Sequence, residues 1–132
     1  MSGAPRPLVV IIEDDAVTRE LLHEALEDAG YRTQALATGT HAVERIRALH
    51  PAVVILDLWL DAVDSGWWVV EQLQRDGQLQ QLPVIVCSGN AFMLATLAEV
   101  RPRPHYVYLP KPVPLDALLA HLQRLIDRAP AD

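Results

Sequence analysis

The stretch Ala52-Val53-Val54-Ile55-Leu56-Asp57 constrains this chain most: five small or branched apolar residues run straight into a carboxylate. A run this apolar, rich in β-branched residues and without polar alternation, suits a strand covered on both faces, as in a parallel sheet. Asp57 then stands at the carboxyl end of that strand, where open α/β sheets form their ligand crevice. Taken alone, a strand-end Asp is more simply a cap for the next turn or helix. Its surroundings decide between the two.

Three further apolar runs end in polar residues. Leu8-Val9-Val10-Ile11-Ile12 meets Glu13-Asp14-Asp15, Pro83-Val84-Ile85-Val86-Cys87 meets Ser88-Gly89-Asn90, and Tyr106-Val107-Tyr108-Leu109 meets Pro110-Lys111-Pro112. Tyr31 to Leu36 reads as a weaker strand near a sheet edge. Helices fill the intervals. Ala16 to Ala29 carries an apolar stripe of Val17, Leu21, Leu22, Ala25, Leu26 and Ala29, and stops at Gly30. Thr40 is expected to cap a helix to Leu49, closed by His50-Pro51. A third helix runs from about Gly66 to Arg75 and a fourth from Ala91 to Val100. A last one carries Leu115, Leu118, Leu119, Leu122, Leu125 and Ile126 on one face. Five βα units with short, right-handed crossovers give a mostly parallel sheet with helices on both faces.

With 132 residues the chain has room for one domain, expected over 8–128 with flexible termini at 1–7 and 129–132. The formal net charge of -6 argues against nucleic acid as a direct partner. No apolar run approaches the length of a membrane span, and the first residues do not read as a signal peptide. Cys87 is the single cysteine, which excludes an internal disulfide and fits a cytoplasmic location. The five histidines show no metal-ligand spacing.

In such a fold the carboxyl ends of the strands lie together, so Glu13, Asp14, Asp57, Ser88 and Lys111 converge. Each has a plain explanation: acidic residues favouring a helix dipole, a Ser cap, a solvated Lys. Jointly they are harder to dismiss. Carboxylates this close repel unless a cation sits among them. Hard oxygen ligands suit Mg²⁺ (or Mn²⁺), and a Lys with a hydroxyl suits phosphoryl oxygens.

In that order and spacing, Glu13-Asp14, Asp57, Ser88 and Tyr108-Leu109-Pro110-Lys111-Pro112 resemble the receiver domain of two-component response regulators, the CheY-like family. The resemblance runs from about Leu8 to Arg128. It implies a flavodoxin-like, doubly wound (βα)5 sandwich with strand order 2-1-3-4-5. It also implies that Asp57 accepts a phosphoryl group from a sensor histidine kinase or phosphotransfer protein. Glu13, Asp14, Asp57 and the main-chain carbonyl of Trp59 would hold Mg²⁺. Ser88 and Lys111 would hold phosphoryl oxygens, Tyr108 would be the aromatic switch, and the Lys111-Pro112 bond would be cis. Such a protein is a signalling phosphoacceptor, catalysing only its own phosphotransfer and slow dephosphorylation. It acts on a downstream protein or a fused output domain, with a homodimer allowed.

The sequence departs from the family after Asp57. The loop Leu58-Trp59-Leu60-Asp61-Ala62-Val63-Asp64-Ser65-Gly66 lacks the usual Pro, and Gly66 comes one position late. Asp61 and Asp64 add charge there, and Trp59 is expected to shield the acyl phosphate while Asn90 orients water. Arg101-Pro102-Arg103-Pro104-His105 replaces a small-residue turn. With Trp67, Trp68, Met93 and the last helix, that segment is a candidate contact surface. A flavodoxin-like cofactor site is disfavoured, because Glu13-Asp14-Asp15 would repel phosphate. A dehalogenase-type phosphatase would need an Asp where Trp59 stands. The runner-up is a degenerate receiver that acts as a phosphorylation-independent scaffold.

Overall fold

In the computed structural model, which describes residues 6–58 and 66–128, five strands alternate with five helices. They are β1 (Leu8–Ile12), α1 (Ala16–Asp28), β2 (Arg32–Leu36), α2 (Ala42–Leu49), β3 (Val53–Asp57), α3 (Gly66–Arg75), β4 (Val84–Ser88), α4 (Ala91–Val100), β5 (Tyr106–Pro110) and α5 (Leu115–Arg128). The sheet is parallel throughout, in the order β2-β1-β3-β4-β5. This is the expected flavodoxin-like arrangement, with β2 on an edge. None of the described helices is long and apolar enough to cross a membrane.

Up to the polar residues at the carboxyl ends of β3 and β4, the central strands are apolar at every position because both faces are covered. Val10, Ile12, Val54, Leu56, Val84 and Val86 pack into one cluster with residues of α2, α3 and α4. The alternate positions Val9, Ile11, Val53, Ile55, Ile85 and Cys87 pack into the other, with α1 and α5. The period of two along a strand sends neighbours to opposite layers. Burying each branched side chain contributes about 1.5–3 kcal/mol.

Two helical expectations need correction. Only part of the apolar stripe of α1 faces the sheet: Leu26 is buried and Leu22 packs on the core, but Val17 and Leu21 are 68% and 62% exposed. At about 100° per residue, Val17 and Leu21 stand roughly a quarter turn or more away from Leu22 and Leu26. Val100 and Leu115, at the ends of their helices, are likewise exposed. Thr40 does not cap α2. The helix begins at Ala42, and His41, in the left-handed region at φ 59°, holds the cap position without a side-chain bond to the helix's amides.

The proposed contact surface also divides. Trp67 and Met93 pack half-buried against the cluster under α3 and α4, whereas Trp68 is exposed, as are Pro102, Arg103 and Pro104.

Candidate functional site

Strand register brings the polar strand ends together. Ile12 pairs with Leu56, which sets Glu13 beside Asp57 one step further on. Asp57 pairs with Cys87, so Ser88 follows next to it. Ser88 pairs with Pro110, and the Lys111 amide donates to the Ser88 carbonyl at 2.8 Å. The Lys111-Pro112 peptide is cis, as the resemblance implied.

Within this cluster Lys111 Nζ lies 2.6 Å from Asp57 Oδ1 and 3.3 Å from Glu13 Oε1. Glu13, Asp57 and Ser88 are all buried, while Asp14 is exposed. Glu13, Asp14 and Asp57 each offer an oxygen, and these lie within 4.8 Å of one another. Three hard oxygens converging from two strand ends, one of them open to solvent, fit a divalent ion that keeps part of its water shell. Lys111 alone cannot balance them.

Burial pushes the Glu13 carboxyl up. The amide of Asp15 and the Lys111 ammonium oppose this, while the Asp57 charge adds to it. For Lys111, burial works against the ammonium, but the hydrogen bond and charge of Asp57, with Glu13 behind, outweigh it and hold it above its usual value.

The acidic loop is tied down on several sides. The Glu13 amide donates to Leu36 across β1 and β2 at 3.0 Å. The Asp15 amide donates to Glu13 Oε2 at 3.2 Å, and the Asp15 side chain caps α1 by accepting from the Thr18 amide at 2.8 Å. Arg19 Nη1 donates to the carbonyls of Glu13, at 2.9 Å, and Asp14, at 3.3 Å. Sequence reasoning did not single out Arg19. Its only advance signal is a guanidinium one turn into a helix that follows three acids.

The remaining expected residues take varied places. Ser88 Oγ accepts from the Asn90 amide at 3.0 Å. Asn90 is the cap of α4, its Oδ1 accepting from the Met93 amide at 2.9 Å. Tyr108 is half-buried and turned toward the far end of α4, where its hydroxyl donates to the Arg101 carbonyl at 2.7 Å. The same carbonyl accepts from Gln74 Nε2 of α3 at 3.2 Å, and the Arg101 guanidinium pairs with Glu71 at 2.5 Å. Neither Gln74 nor Glu71 was anticipated. Trp59, Asp61 and Asp64 lie outside the described residues. A cavity of about 400 Å³ between α1 and α5 reaches this cluster, with Leu22, Ile55, Cys87, Val113 and Leu118 among its lining.

Comparison with known proteins agrees with this geometry. The sequence matches the response regulator receiver domain family over residues 9–123. It is 30% identical over 124 residues to the response regulator MprA of Mycolicibacterium vanbaalenii, covering 94% of this chain and 52% of that protein. It is also 30% identical over 105 residues to the polar-differentiation response regulator DivK of Brucella ovis, covering 80% and 84%. The chain thus spans about half the length of relatives such as MprA. A crystal structure of a sensor protein from Polaromonas superposes with a TM-score of 0.84 at 28% identity, covering 96% and 100% of the two chains. A CheY-like receiver domain protein from Methanospirillum hungatei shares the fold with a TM-score of 0.80 at 19% identity, covering 94% and 96%. With that match over most of its length, the chain belongs to the response regulator receiver domain family.

Proposed function

We propose that residues 8–128 form a phosphoacceptor of a two-component system, with Asp57 taking a phosphoryl group from a phosphohistidine on a sensor kinase or phosphotransfer protein. The observation that carries this reading is the buried Asp57 carboxylate held 2.6 Å from Lys111 Nζ, with oxygens of Glu13 and Asp14 converging on it. In the transfer, an Asp57 oxygen bonds to phosphorus as the phosphorus–nitrogen bond breaks, and that electron pair returns to the imidazole. A carboxylate nucleophile brings no proton that must be removed, so positioning and charge neutralisation do most of the work.

Glu13, Asp14, Asp57 and the Trp59 carbonyl are the groups assigned to hold Mg²⁺ (or Mn²⁺), Asp14 directly and Glu13 through water. When bound, the ion neutralises the phosphoryl oxygens and the carboxylates around them. Lys111 and Ser88 take the other phosphoryl oxygens, Lys111 as a charged donor and Ser88 through its hydroxyl. Movement of Ser88 toward the phosphoryl group then frees space for Tyr108, which exchanges its bond to the Arg101 carbonyl for an inward position. An acyl phosphate is high in energy and can bias such a two-position element.

Val17 and Leu21, exposed on the helix that leaves the acidic loop, offer apolar contacts to a phosphodonor domain. The setting is cytoplasmic, and the output is a downstream protein or a fused domain. The test is incubation with acetyl phosphate and Mg²⁺ beside an Asp57→Asn control, read by intact mass. A gain of one phosphoryl group in the parent alone supports the reading. No gain in either protein favours the scaffold instead.

A further inference from the structure

Arg19 stands in no proposed contact with phosphate, yet it touches the loop that carries two of the three convergent carboxylates. One nitrogen, Nη1, donates to both the Glu13 carbonyl at 2.9 Å and the Asp14 carbonyl at 3.3 Å. The Glu13 carbonyl belongs to the peptide plane before Asp14, and the Asp14 carbonyl to the plane after it. Peptide units are rigid, so fixing two successive planes fixes both backbone torsions of the residue between them. Those torsions set the direction of the Asp14 Cα–Cβ bond.

The need for such a device is specific to Asp14. The Glu13 side chain is buried and held by Lys111 and the Asp15 amide. The Asp57 side chain is held by Lys111 at the end of a central strand. Asp14 is exposed, sits in a loop between β1 and α1, and lies among like charges that push it outward. Arg19 is anchored in turn, because α1 is capped by Asp15 and the Arg19 amide donates to the Asp15 carbonyl at 2.9 Å.

We propose that Arg19 is a positioning residue for the divalent cation: its guanidinium clamps the carbonyls of Glu13 and Asp14 and so aims the Asp14 carboxylate into the site. This rests on the reading of Glu13, Asp14 and Asp57 as the metal-holding group. It has an unusual sign. A cation beside a metal site repels the metal, so removing Arg19 should tighten binding if charge alone mattered. Positioning predicts the opposite. Partners that orient a ligand from outside typically change metal affinity by 10–100-fold when lost.

The experiment measures Mn²⁺ binding to the folded protein by electron paramagnetic resonance of the free ion, with Mg²⁺ as competitor and no phosphodonor present. Arg19→Gln removes the charge and the reach to both carbonyls, and Arg19→Lys keeps the charge on a shorter side chain whose single nitrogen stops short of the place Nη1 holds. Thermal unfolding without metal is recorded for each. The expected result is a dissociation constant raised about tenfold in Arg19→Gln, with Arg19→Lys also weakened, by a smaller factor. Tighter binding in Arg19→Gln overturns the proposal in favour of simple repulsion. A lowered unfolding temperature with unchanged affinity in both variants overturns it in favour of a purely structural bond. Absence of binding by the parent overturns the metal-site reading as well, and so is distinguishable from failure of the Arg19 assignment alone.

Discussion

Lys111 Nζ is shared between Asp57 Oδ1 at 2.6 Å and Glu13 Oε1 at 3.3 Å, so one ammonium spans the ends of β1 and β3 from the loop after β5. That bridge does two jobs with opposite signs. It partly satisfies the carboxylates, which competes with a divalent ion, and it supplies a donor for the transferred group. Lys111→Met should therefore bind Mg²⁺ at least as tightly as the parent. Its phosphoryl uptake from acetyl phosphate should fall by about 100-fold, the usual scale for losing one charged donor. Titration calorimetry and intact mass read the two effects separately. Weaker Mg²⁺ binding in the variant would show that Lys111 orients the carboxylates and does not compete with the ion.

Gly66, the first residue of α3, abuts the strand end that carries Asp57. A Cβ placed there would lie 2.8 Å from the Asp57 carbonyl and 3.0 Å from the Leu58 Cα. Main chain cannot swing aside as a flexible side chain can, so Gly66→Ala must displace either α3 or the end of β3. Overpacking of this kind costs about 1–3 kcal/mol. Urea denaturation should show that loss, and phosphoryl uptake should fall with it because the nucleophile moves. A variant of parental stability and parental uptake would mean that α3 yields without disturbing Asp57.

Much of this was legible in the residue order, for a physical reason. Strands covered on both faces must be apolar at every position, so Val53 to Leu56 and Val9 to Ile12 stand out, and whatever polar residue follows marks the crevice. Helix faces were less legible. Val17 and Leu21 look like core by composition, but which side of α1 meets the sheet depends on the entry angle set by the Asp15 cap. Thr40 lost the cap of α2 because the chain turns through a left-handed His41 instead. Arg19 and Gln74 were not legible. Their partners are main-chain carbonyls, which carry no sequence signal, and the Gln74 bond joins residues 27 apart.

Cys87 lines the cavity beside Asp57, yet its thiol should be inert. Burial pushes it up to about 12, with the Lys111 charge opposing and the Asp57 and Glu13 charges adding. Against an ordinary thiol near 8.5, the thiolate fraction at neutral pH falls by about three orders of magnitude. Iodoacetamide at pH 7.5 should leave the native protein unmodified over hours and label it rapidly in urea. Labelling of native protein within minutes would mean that the layer between α1 and α5 opens often enough to expose the sheet.

The Arg101 carbonyl, at the end of α4, accepts from both Tyr108 and Gln74, so neither donor is indispensable while the other remains. Tyr108→Phe should cost about 0.5–1.5 kcal/mol, since the carbonyl keeps Gln74. Gln74→Met should be closer to neutral, because the Gln74 Oε1 is buried without a partner among the described residues and the substitution removes that oxygen too. The double variant leaves the carbonyl with neither donor and should lose more than the sum of the two, by about 0.5 kcal/mol or more. Equilibrium urea denaturation of the four proteins gives the coupling directly. A coupling near zero would show that water replaces the lost donors, and that α3 and the Tyr108 hydroxyl are independent of each other at the end of α4.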